Sequence, residues 1–200
     1  MYKQYLRSVL VRIKPVKTWY LLVACLVSGA VCALALRSNY VHMTDLRAAV
    51  YTADQQNGNV EAALQALRSY VGRHMNTSLA TSDGVYPPIQ LKYTYQRLQQ
   101  AEAARVQAVN SQIYTQAQKL CEAQYPTGFS GGVRVPCIDD YVQQHGTTAQ
   151  PIAQDMYKFD FVSPRWSPDL AGWALALTIL LFGLAVLRFA LGRVLQWLSR

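Results

Sequence analysis

Apolar positions in this chain collect into two long unbroken runs separated by a periodic, more polar middle. Trp19 to Leu36 is 18 residues without a charge, and Leu170 to Leu187 is another 18. As a helix each run rises about 27 Å, close to the thickness of a bilayer's hydrocarbon core. The pattern predicts transmembrane helices at 19–36 and 170–187 around a loop domain at 37–169. A cleaved signal peptide is the alternative for the first run. That run is longer than a usual signal core, and Ala33-Leu34-Ala35 is a weak small-x-small match. Cys25, Gly29 and Ala33 recur every fourth residue, as do Gly172 and Ala176, a spacing that lets membrane helices approach closely. Cys25 and Cys32 read as small buried thiols.

Helical spacing dominates the middle. Met43, Leu46, Val50 and Ala53 recur at three-four intervals until Gln55-Gln56-Asn57-Gly58 interrupts them. Asn59 suits the cap of a second helix, with Glu61 in its first turn and an apolar stripe at Val60, Leu64, Leu67, Val71 and Met75. The two form a hairpin turning at Gly58. After a loop over 76–88, where Asn76-Thr77-Ser78 matches a glycosylation sequon, the stretch from Pro88 to Gln124 predicts one long helix. Its stripe runs through Leu91, Tyr95, Leu98, Val109, Ile113 and Leu120, and Glu102 and Arg105 interrupt it with a polar network or a kink. Asp139 to His145 predicts a short helix stopped by Gly146. Thr147 to Pro151 is a connector, and 156–162 an aromatic segment close to the bilayer. Ser167-Pro168 reads as the cap and first residue of the second span. The expected fold is mainly α, a helical bundle or helical hairpin between two spans.

Charge then orients the chain. The net charge is +8, yet Lys3, Arg7, Arg12, Lys14 and Lys17 precede the first run and Arg188, Arg193 and Arg200 follow the second, with no acidic residue in either tail. The middle holds the other 11 basic residues and all 11 acidic ones, so it is formally neutral. Basic tails stay cytoplasmic, which places 1–18 and 188–200 inside and 37–169 outside the cytoplasm. The excess charge faces lipid headgroups; a nucleic-acid footprint needs a basic face on the folded domain. Tyr2, Tyr5, Leu6, Val9, Leu10 and Ile13 give the first tail an amphipathic stripe suited to a lipid surface, a plain disordered tail being the alternative. Trp19, Tyr20, Trp166, Trp173 and Trp197 fall where aromatic side chains meet the headgroup zone. Cys121 and Cys137, in an oxidising compartment, predict a disulfide closing 17 residues and contributing about 3 kcal/mol.

Catalytic chemistry has little to stand on. Gly128-Phe129-Ser130-Gly131-Gly132 matches the G-x-S-x-G pattern, but that motif works on a tight strand-to-helix turn of an α/β sheet, whereas this one falls in a Pro-bounded loop between helices. His42, His74 and His145 show no metal-ligand spacing, and no phosphate loop, dinucleotide fingerprint or C-x-x-C occurs. No enzyme, cofactor or metal is expected.

Tyr86 to Tyr95, Gly128 to Gly131 with Arg134 to Cys137, and Lys158 to Pro164 resemble segments of an uncharacterised family of two-span envelope proteins from small-genome, host-dependent bacteria. The resemblance implies a bacterial envelope location and carries no catalytic residues. The expected role is a non-enzymatic, membrane-anchored interaction or scaffolding module. Its partners would be membrane lipid and another envelope protein or a second copy of itself. The alternative is a ligand-binding sensory domain signalling through a separate transducer.

Overall fold

A computed structural model of the chain describes residues 18–80, 84–126 and 132–198. Among the described residues five α-helices carry the fold: α1 (Thr18–Gln55), α2 (Val60–Val71), α3 (Lys92–Gln124), α4 (Arg134–His145) and α5 (Leu170–Leu198). A 3-10 turn at Gln154–Met156 and a two-strand antiparallel pair, β1 (Ile89–Gln90) and β2 (Lys158–Phe159), complete it. The chain is therefore mainly helical, as expected, with a small β pairing that the periodicity does not signal. Its contacts fall into two compact units, residues 1–51, 59–82 and 161–200 in one and 52–58 with 83–160 in the other.

In the first unit, α1 and α5 are both long and apolar enough to cross a membrane, with windows of mean hydropathy 2.2 and 2.4. Only 17% and 22% of those windows is buried, where the core helix of a soluble protein would be mostly covered. The change of polarity at Arg37 does not end the helix: α1 continues for 38 residues until Asn57, at φ 54°, and Gly58 turn the chain. The amide of Gly58 donates to the carbonyl of Ala53, and the Asn59 side chain accepts from the Ala62 N–H at 3.0 Å, the cap expected for α2. Leu64, Leu67 and Val71 of α2 are buried, as are Met43 and Val50 of α1.

The two apolar helices run antiparallel, a direction fixed by their cross-links. Cys25 Sγ donates to the Thr178 carbonyl, Ser28 Oγ to the Ala174 carbonyl, and Cys32 Sγ to the Ala171 carbonyl. Ser28 and Thr178 hydroxyls meet at 2.9 Å. Small residues do make the seam, but not the strict every-fourth set: Ala33 and Ala176 are exposed, while Cys32, Ala35, Ala171, Ala174 and Ala185 are buried. A helix turns once per 3.6 residues, so steps of four drift off the face that alternating threes and fours keep.

In the second unit α3 is a spine about 50 Å long. Only Ala117 and Cys121 are buried along it. Leu91, immediately before the helix, is buried too, and its N–H donates to the Tyr157 carbonyl at 2.8 Å, extending the register Ile89↔Phe159 and Gln90↔Lys158. The helix thus starts at Lys92 rather than Pro88, because Ile89 to Leu91 is held extended by the returning chain. Helix α4 begins at Arg134, five residues before the expected Asp139, since Pro136 falls in the first turn, where a missing N–H costs nothing. Gly146 ends it in an extended conformation.

Candidate interaction surface

Helix α3 is held along one side, and the groups that hold it are polar. Asp54, near the end of α1, caps it from a distance. Its carboxylate accepts the N–H of Tyr93 at 2.9 Å, the N–H of Thr94 at 2.7 Å, the Thr94 hydroxyl at 2.7 Å and Arg97 Nη2 at 3.1 Å. The local cap position, Leu91, offers no side-chain acceptor. Asp54 therefore supplies the acceptors for the first N–H groups of a helix that starts 38 residues later.

The chain from 147 to 159 returns along the same side. Asn110 clasps the backbone of Thr147, donating Nδ2 to its carbonyl at 3.0 Å and accepting its N–H at 2.8 Å. Glu102 accepts the Gln150 N–H at 2.9 Å and forms a two-pronged pair with Arg105 at 2.8 Å. Tyr95 meets Tyr157 ring to ring at 4.6 Å. The expected polar interruption at Glu102 and Arg105 is thus a rung of the attachment, not a kink. The Arg105 hydrogen bond and the Gln150 N–H lower the Glu102 carboxyl from 4.5 to about 2. A carboxyl depressed on folding holds its contacts above its ordinary value and loses them as pH falls through the folded one. The Gln150 N–H resonance followed against pH is expected to titrate near 2; a midpoint near 4.5 would show that this rung is open in solution.

At the far end, Cys121 and Cys137 form the expected disulfide, with Cα atoms 6.0 Å apart. Arg134 donates Nε to the Tyr125 carbonyl at 2.9 Å and Nη2 to the Pro126 carbonyl at 3.1 Å, satisfying acceptors at the end of α3. The bridge draws packing to Ala117 and Cys121 and leaves Leu120, expected in the stripe, 48% exposed. What remains is the opposite face of α3. Gln100, Ala104, Gln107, Ser111, Thr115 and Gln118 recur along it, all exposed and all uncharged. From Gln100 to Gln118 it presents about 27 Å of amide, hydroxyl and methyl groups with no field to repel a neighbour.

The first unit holds a second polar cluster. Asp169 accepts from the Gly172 N–H at 2.9 Å, from Asn39 Nδ2 at 2.8 Å and from the Ser167 hydroxyl at 2.9 Å; Ser167 in turn accepts the Met75 N–H at 3.0 Å. Asp169, not Ser167, is therefore the cap of α5, and Ser167 ties the preceding turn to the loop after α2. Burial pushes the Asp169 carboxyl up, but the Gly172 N–H, Asn39, Ser167 and the charge of His74 outweigh it and hold it below its usual range. Burial, then the charge of Asp169, raise the Tyr70 phenol. His42 and His74, far apart in sequence, lie against the Tyr70 ring at 4.5 and 4.1 Å. The sequon is a joint in this unit: Asn76 Nδ2 donates to the Leu36 carbonyl, and the buried Thr77 hydroxyl lies 2.6 Å from the His74 carbonyl.

Other predicted residues separate. Trp19, Tyr20, Trp166, Trp173 and Trp197 are all exposed, with Trp166 and Trp173 edge to face at 5.8 Å. Arg193 lies over the Phe189 ring. Lys3, Arg7, Arg12, Lys14, Lys17 and Arg200 lie outside the described residues, as do residues 127–131 with Ser130. His145 lies tilted against Tyr141 at 4.3 Å, and among the described residues no group of three His, Cys, Asp or Glu could hold a metal ion. Sequence reasoning missed Asp54, Asn110 and Asp169. Only Asp169, a cap-forming residue directly before an apolar run, carries a local signal. No protein-family model, curated protein or solved structure matches this chain.

Proposed function

We propose that the chain is a membrane-anchored, non-enzymatic interaction or scaffolding module of a bacterial cell envelope. In this reading α1 and α5 insert as a hairpin, both basic tails are cytoplasmic, and 37–169 lies on the other side. The basic flanks support that orientation, and the Cys121–Cys137 bridge supports an oxidising compartment for the middle region. The carrying observation is the free face of α3. A 33-residue helix with two buried side chains is held on one side by Asp54, Glu102, Asn110 and Cys121. Its other side is neutral and rich in groups that pack or hydrogen-bond. That face docks another envelope protein or a second copy of the chain.

Photo-crosslinking amino acids at Gln100, Gln107, Ser111 and Gln118 of the full chain in native membranes test this. Each is expected to give the same discrete adduct, whose mass separates a second copy from another protein. Ile113, on the attached side, is expected to give none. Recovery of the uncrosslinked monomer from all four positions would overturn the proposal.

A further inference from the structure

One face of α1 presents Leu34, Arg37, Ser38, Val41, His42 and Asp45, at the three-four spacing that stacks side chains along a helix. Together they line an open hollow of ≈ 370 Å³. All six are exposed. Arg37 is the first charge after the apolar run from Trp19, and Asp45 lies eight residues further on, about 12 Å along the axis. That separation is too great for a direct pair. Among the described residues neither side chain has an ion-pair or hydrogen-bond partner, whereas Arg97, Arg105 and Arg134 are each engaged.

We propose that this hollow seats the headgroup of a phospholipid that carries both a phosphodiester and a primary ammonium. The inference rests on Trp19 to Leu36 crossing the bilayer, as in the reading above. Helical side chains lean toward the N-terminus, so Arg37 reaches back toward the edge of the apolar run, where lipid phosphates lie. Its guanidinium and the Ser38 hydroxyl donate to the phosphodiester. Leu34, one turn nearer the bilayer, covers the first acyl carbons. Asp45, on the far side of Val41 and His42, accepts from the ammonium. Charge complementarity at both ends selects a zwitterionic headgroup. A lipid with only negative charge satisfies Arg37 and leaves Asp45 facing the wrong sign.

The full chain, purified in detergent, is incubated with phosphatidylethanolamine, phosphatidylglycerol or diacylglycerol, and bound lipid is counted by native mass spectrometry. Phosphatidylethanolamine is expected to be retained best and diacylglycerol least. Arg37→Gln should lower phosphatidylethanolamine retention about tenfold, the loss of one charge-assisted contact. Asp45→Asn should erase its advantage over phosphatidylglycerol. Lys119→Gln, on α3, should change neither. Equal retention of all three lipids, or no effect of Arg37→Gln, would overturn the proposal. So would displacement by millimolar inorganic phosphate, which would make the hollow a free-anion site. Alkaline carbonate extraction of native membranes separates the two failures: a chain that resists extraction but binds no lipid loses only this site, whereas an extracted chain loses the span.

Discussion

Asp54→Ala is expected to destabilise the second unit by about 3 kcal/mol. The Asp54 side chain is 2% exposed and Arg97 35% exposed. Water therefore recovers part of the guanidinium's loss, which places the figure at the lower end of the range for a broken buried pair. The rest comes from the helix. Tyr93 and Thr94 donate their N–H groups to this carboxylate, and removing it strips the start of α3 of its cap. Asp54→Asn keeps a neutral acceptor and is expected to lose about half as much. Amide exchange in the full chain reads the effect directly: the Tyr93 and Thr94 amides should exchange roughly a hundredfold faster in Asp54→Ala, as about 3 kcal/mol of lost protection implies. Unchanged exchange at those two amides would mean that α3 is capped by something else.

The same residue shows where legibility in the sequence stops. The end of α1 at Gln55, the turn at Asn57 and Gly58 and the cap at Asn59 are all local, settled within four residues, and the sequence announces them. The two apolar helices and the disulfide are legible for the same reason: run length and cysteine count need no knowledge of the fold. Contacts made over a long loop leave no such trace. Asp54 to Thr94 spans 40 residues, Asn110 to Thr147 spans 37 and Leu91 to Tyr157 spans 66, and each joins residue types that are ordinary at their own positions. The β pair is missed on length, since two residues per strand are too few for a period of two to appear. The start of α4 is missed because Val133 to Pro136 resembles loop until the proline is placed in a first turn. The free face of α3 is the converse case: its low charge is visible in the sequence, but which side is free depends on Asn110, Glu102 and Cys121 together.

Removing the bridge with Cys121→Ser and Cys137→Ser is expected to cost about 3 kcal/mol, and the loss should stop short of the β pair. Closing a loop of this size restricts the unfolded chain by about that amount. The location of the loss follows from what else holds each segment. Helix α4 has no buried side chain. Apart from the bridge, its polar ties to the end of α3 among the described residues run through Arg134, to Tyr125, Pro126 and, at 3.6 Å, Glu122. Cut free, it has too little apolar contact to stay docked, and 12 residues are too few for a stable isolated helix. Beyond Gly146 the situation reverses. The Asn110 clasp on Thr147, the Glu102 bond to Gln150 and the Leu91 bond to Tyr157 do not pass through the bridge. Hydrogen exchange of the reduced or doubly substituted full chain should show residues 134–145 exchanging at nearly unprotected rates, with Leu91 and Thr147 still protected. Adding Asn110→Ala should carry the loosening to Thr147 and leave Leu91 protected. Uniform loss of protection from 92 to 159 on removal of the bridge alone would mean that the unit opens all at once, and that the polar rungs along α3 carry no independent stability.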